Sequence, residues 1–144
     1  AQLDLDHTAA RVMDAGCGTA ILSIMASKRN AKEVIAFDID EWSVINGKEN
    51  SENNRCQNIQ IHQGKISELT LTGEFDIILA NINKNVLLSE MKTYSSFLKQ
   101  GGHLLLSGFY THDIGDLKAE ATKYGLVEVS RGERETWASL LLRK

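Results

Sequence analysis

Residues Val12–Ala20, VMDAGCGTA, decide the reading of this chain. Apolar residues lead into Asp14, two glycines (Gly16 and Gly18) flank Cys17, and a helical pattern opens near Ala20. This is a buried strand entering a helix through a glycine turn. Glycine lets a backbone bend tightly and approach a ligand with no Cβ in the way. The helix N-terminus behind such a turn presents unpaired N–H groups. By itself the pattern also suits a plain strand-to-helix turn.

Working outward, strands and helices alternate. Arg11–Ala15 reads as a strand and 19–29 as a helix. Val34–Asp38, VIAFD, is apolar on both faces, as a covered parallel strand must be. Glu41–Asn53 reads as a helix, Ile59–His62 and Phe75–Ala80 as strands. Leu87, Met91, Tyr94 and Leu98 mark one helix face, which the pair Gly101–Gly102 is expected to stop. His103–Ser107 is a further strand. Ile114, Leu117, Ala121 and Tyr124 mark a last helix, closed by Gly125. Leu126–Arg131 and Trp137–Arg143 follow with no room for a helix between them. The expectation is an α/β fold: a doubly wound, mostly parallel seven-stranded sheet with a C-terminal antiparallel hairpin, Rossmann-like, in one domain spanning 1–144.

The bulk numbers agree with one such domain. The chain has 144 residues, is 42% hydrophobic and 24% charged, and carries a net charge of −3. No long basic run supports direct nucleic-acid binding. No apolar run spans a membrane, and the start, AQLDLDHTAAR, is too polar for a signal peptide. Cys17 and Cys56 lack metal-type spacing and read as free thiols of a cytoplasmic protein. No metal is expected, since Asp38, Asp40 and Glu41 have no further ligands near them in sequence.

Three features fall at strand ends, where open α/β sheets bind ligands. The first is the glycine loop. The second is Asp38, twenty residues beyond Gly18, placed to accept from ribose hydroxyls; Asp40 is the better helix cap. The third is Asn81, an amide at the end of the fourth strand, with Asn83 the better turn residue. Together they point to a nucleoside-containing cofactor. Asp14 narrows the choice: a carboxylate beside the loop repels a pyrophosphate but suits a cation. S-adenosylmethionine offers an ammonium, a sulfonium and a ribose, and no phosphate.

With VMDAGCGTAILSIMASK, EVIAFDIDEWSVINGKENSE, FDIILANINKNVLL and LKQGGHLLLSGFY, the chain resembles the class I S-adenosylmethionine-dependent methyltransferases. More narrowly, from about Arg11 onward, it resembles the PrmA family, which methylates amino groups on protein eleven of the large ribosomal subunit. The resemblance implies that Gly16 and Gly18 cradle the methionine part, Asp38 holds the ribose, and Asn81 lies near the reacting centre. It implies that Asp14 shapes the loop and offsets the ammonium, and that Ile39 and Ile66 flank the adenine. Ordinary core is the competing role for Ile66.

The chain departs from the family in three ways. Ala20 stands where a third glycine is usual, and it reads as a tolerated methyl on the first helical turn. Lys65 stands where an acidic residue commonly reads the adenine. The family's upstream cofactor-contacting segment and N-terminal substrate-recognition domain do not match anything in these residues. No catalytic residue is assigned; His62 and His112 read as exposed loop residues, His103 as structural, and His7 lies outside the matched region. A methyltransferase for a small molecule or RNA, and a non-catalytic cofactor-binding domain, stay open at this point.

Overall fold

A computed structural model describes residues 6–69, 71 and 73–144. The first five residues of the polar N-terminal stretch lie outside these. Seven strands form one sheet in the order β3-β2-β1-β4-β5-β7-β6. They are β1 (Arg11–Ala15), β2 (Glu33–Asp38), β3 (Ile59–Gln63), β4 (Phe75–Asn81), β5 (Leu98–Tyr110), β6 (Val127–Arg134) and β7 (Trp137–Arg143). The first five run parallel, and β7 inserts antiparallel between β5 and β6. The fold class and the closing hairpin are as the sequence predicts.

Side chains alternate across the sheet, so the central strands feed a core on each face. Met13, Ile78, Leu104 and Leu106 face α3 (Lys84–Phe97) and α4 (Ile114–Thr122), which contribute Leu87, Met91, Tyr94 and Leu117. Val12, Ile77 and Leu79 face the other way, toward Ala26 of α1 (Ile21–Lys28). Ala36 meets Val44 of α2 (Glu41–Asn53) in a third, smaller cluster. Each fully buried leucine here contributes roughly 1.5–3 kcal/mol. Asp40 caps α2 as the sequence predicts, its side chain accepting from the Trp42 N–H, and Asn83, read as a turn residue, also caps α3 by accepting from the Val86 N–H.

Two expectations are corrected. Gly101–Gly102 does not stop α3. The helix ends at Phe97, and Leu98 already pairs with Phe75 in the sheet. The glycines lie inside β5, where the register jumps between the Phe75–Leu98 and Ile77–His103 pairs. Ala20 is not on the first turn of α1 either. It precedes the helix with φ +67°, a left-handed conformation costing an alanine about 1–2 kcal/mol. Its methyl is fully buried, 3.4 Å from where a Cβ on Gly47 would stand, so packing offsets part of that strain.

Candidate functional site

At the carboxyl ends of β1, β2 and β4 the turns part around a cavity of about 350 Å³. Gly16 lies at its base, beside Phe37. One wall carries Asp38, Ile39, Gly64 and Lys65 from the turns after β2 and β3. The opposite wall carries Asn81, Ile82 and Asn83 after β4, then Val86, Ser89 and Glu90 on α3.

The glycine loop is tied to β2. The N–H groups of Gly16 and Cys17 both donate to the Phe37 carbonyl, at 2.9 and 3.0 Å. Gly16 has φ +68°, and a Cβ built on it would lie 2.6 Å from Ile82 Cγ1. Only glycine fits this crossing of the first and fourth strand ends.

Asp38 is held by the loops on both sides. Its Oδ2 accepts from the Gly18 N–H at 2.9 Å, and its Oδ1 accepts from the Asp40 N–H at 2.9 Å. Each carboxylate oxygen keeps a second acceptor position. The side chain is therefore oriented at the cavity with capacity for two further donors. Glu90 is oriented in a similar way: its Oε2 accepts from the Tyr94 hydroxyl at 2.5 Å, and the tyrosine is fully buried.

Of the residues singled out from sequence, Gly16, Asp38, Ile39 and Asn81 line the cavity together. Gly18 stands behind Asp38 and acts on it through its N–H. Ile66 is core, 3% exposed, which leaves its neighbour Lys65 at the wall.

Asp14 lies under α1, 1% exposed, and does not line the cavity. Its Oδ2 accepts from the Ser23 hydroxyl at 2.6 Å, while Oδ1 has no protein partner. α1 has no side-chain cap from Ala20 and no acidic residue in its first turn, and Asp14 instead reaches that turn from β1 as a hydrogen-bond acceptor for Ser23. Burial pushes this carboxyl up to about 7; the Ser23 hydrogen bonds oppose the shift, and the charge of Asp38 adds to it. Burial likewise pushes the Cys17 thiol up to about 12, with Asp14 and Asp38 adding to the effect. A thiol held protonated in this way is no nucleophile.

The sequence reading missed the α3 wall. Asn83, Val86 and Glu90 fall at helical spacing, but Leu87 and Met91 beside them carry the stronger apolar signal of the core face. No group of three or more metal-ligating side chains exists among the described residues. No helix among them is long and apolar enough to cross a membrane.

Comparison with known proteins agrees with the fold. A ribosomal protein L11 methylase from Lactobacillus delbrueckii subsp. bulgaricus superposes with a TM-score of 0.88 at 27% identity, over 94% of this chain and 70% of that one. The ribosomal protein L11 methyltransferase of Bacteroides fragilis is 45% identical over 138 residues, which are 96% of this chain and 49% of that protein. The Bacteroides thetaiotaomicron protein of the same name is 47% identical over 129 residues, 90% of this chain and 46% of that protein. The chain thus spans about half the length of the curated relatives it matches. The model of the family described as ribosomal protein L11 methyltransferase (PrmA) matches residues 2–144, beginning upstream of Arg11. The chain belongs to that family.

Proposed function

We propose that this chain is an S-adenosylmethionine-binding catalytic domain that methylates amino groups of a large-subunit ribosomal protein. The observation that carries the reading is Asp38. Its carboxylate is oriented at the cavity by two backbone N–H groups and can still accept from a vicinal pair of hydroxyls. The rest of the lining fits the same ligand. Ile39 and Val86 offer apolar faces to a base. Asp38 and Glu90 make the cavity acidic, with Lys65 the one cationic side chain on its walls among the described residues. That balance suits an ammonium and a sulfonium better than a pyrophosphate.

Bound there, S-adenosylmethionine would supply an electrophilic methyl group. Gly16 would let the turn after β1 close against Ile82 beside the methionine part, since the Ile82 side chain takes the place of a Cβ there. Asn81 would orient the polar groups nearest the reacting atoms, as an amide that both donates and accepts. Asp14 would act indirectly, by tying β1 to the first turn of α1 through Ser23. The protein's contribution is chiefly positioning. An amine acceptor would reach its neutral form by shedding its proton to water, and no side chain is assigned as base. A ribosomal acceptor puts the reaction in the cytoplasm, and the relatives' names support that acceptor.

Titration calorimetry on this chain tests the cofactor. S-adenosylmethionine is expected to bind and NAD is not. Asp38→Ala is expected to weaken S-adenosylmethionine binding by about tenfold or more while the fold survives, which a loss of two charge-assisted hydrogen bonds allows. NAD binding without S-adenosylmethionine binding would sink the proposal, and unchanged affinity in Asp38→Ala would return that residue to a loop-capping role.

A further inference from the structure

The end of β5 and the segment that follows it meet the Asn81 turn at two points. At the first, Gly108 is the extra residue of a bulge: the β5–β7 register shifts between Ser107 and Phe109. A bulge re-aims the chain locally. Here it brings the Gly108 backbone, at φ +89°, against Asn81. A Cβ built on Gly108 would lie 2.8 Å from Asn81 Oδ1 and 2.9 Å from the Ile82 carbonyl oxygen. Beside it the Ile82 N–H donates to the Ser107 carbonyl at 3.1 Å. At the second point, Lys84 Nζ lies 3.4 Å from Asp113 and 2.6 Å from Asp116. Asp113 is buried and also accepts from the Tyr110 N–H at 3.0 Å.

We infer that Gly108 and the Lys84–Asp113 pair are positioning residues that seat the Asn81 amide, one at each end of Asn81–Lys84. Gly108 leaves the space that Oδ1 occupies. Lys84 and Asp113 hold the far end of the turn to the start of α4. Neither Gly108 nor Asp113 lines the cavity, so both act through Asn81. The inference rests on the proposed function only for what Asn81 does, not for how it is held.

The experiment is therefore read in two ways. In the ¹⁵N-labelled chain, the Asn81 side-chain NH₂ signals are identified by their loss in Asn81→Ala. Gly108→Ala is expected to move them in the ligand-free protein, and Lys84→Met to move them less. Unmoved signals in both variants overturn the inference, whether or not the chain binds S-adenosylmethionine. The second reading is a double-mutant cycle on S-adenosylmethionine affinity. Gly108→Ala is expected to cost about tenfold with Asn81 present and no more than about twofold in the Asn81→Ala background. The same loss in both backgrounds would make Gly108 a general structural glycine. Should Gly108→Ala not fold, Lys84→Met in the same cycle decides, since Lys84 is a partly exposed side chain whose loss disturbs no backbone. Wild-type chain that binds no S-adenosylmethionine removes the proposed function and leaves the NH₂ signals to decide the seating.

Discussion

The Asp14 carboxyl shows how one buried group ties stability to pH. Its native value is raised to about 7 by burial, whereas an unfolded aspartate releases its proton near its ordinary value of 3.8. Between these values the native state binds more protons than the unfolded state, so stability falls as pH rises through the window. Above it the cost of the buried charge is complete. Asp14→Asn keeps an acceptor for the Ser23 hydroxyl and removes the titration. Relative to wild type, the variant is expected to gain on the order of a few kcal/mol in urea unfolding at about pH 8 and much less at about pH 4. His7 works the other way. Burial lowers its value, so its contribution improves as pH rises toward 6.5. Taking the difference between the two proteins cancels that term. An equal difference at both pH values would mean that Asp14 is ionised throughout.

Among the elements, those with local signals were readable from sequence and those set by tertiary pairing were not. α2 runs from Glu41 to Asn53 as predicted, because Asp40 announces its start with a capping side chain. β1 and β7 are short apolar runs whose ends also fall where the sequence puts them. Leu98 misled because it continues the helical spacing from Tyr94, yet its burial comes from pairing in the sheet beside Phe75. The site shows the same division. Asp38 and Gly16 sit at strand ends that the alternating pattern locates. Glu90 reaches the cavity only because α3 crosses over the sheet, and no local motif marks that. The misread glycines give a test of the corrected account. A Cβ on Gly102 would lie 2.8 Å from the Lys99 carbonyl oxygen and 2.9 Å from that of Asp76. A Cβ on Gly101 meets nothing within 4 Å, although φ is +84°. Gly101→Ala is therefore expected to cost about 1–2 kcal/mol from backbone conformation alone. Gly102→Ala must displace backbone in a sheet and is expected to cost more, about 2–4 kcal/mol. Denaturant unfolding of the two variants ranks them, and equal costs would contradict the placement of both glycines in the register jump of β5.

For the molecule as a whole, the cavity and both cores depend on the same strands. Met13 packs under α3 and α4, its neighbour Val12 packs under α1, and β1 ends in the loop at the base of the cavity. Losing either core removes the strands of the other, so the chain should unfold as one cooperative unit. Calorimetry is expected to give a single transition whose calorimetric and van't Hoff enthalpies agree. The proposed cofactor bridges turns that follow β1, β2 and β4, so it binds only the state in which all three are in place. At about a hundredfold excess over its dissociation constant it should stabilise that state by about 2.7 kcal/mol. For a chain of this size the midpoint should then rise on the order of 10 °C. The transition should shift without splitting, and Asp38→Ala should lose about half of the shift or more at the same ligand concentration while keeping the single transition. Two transitions, only one of them moved by S-adenosylmethionine, would mean that the α1 and α3 faces melt independently and that the cavity belongs to only part of the fold.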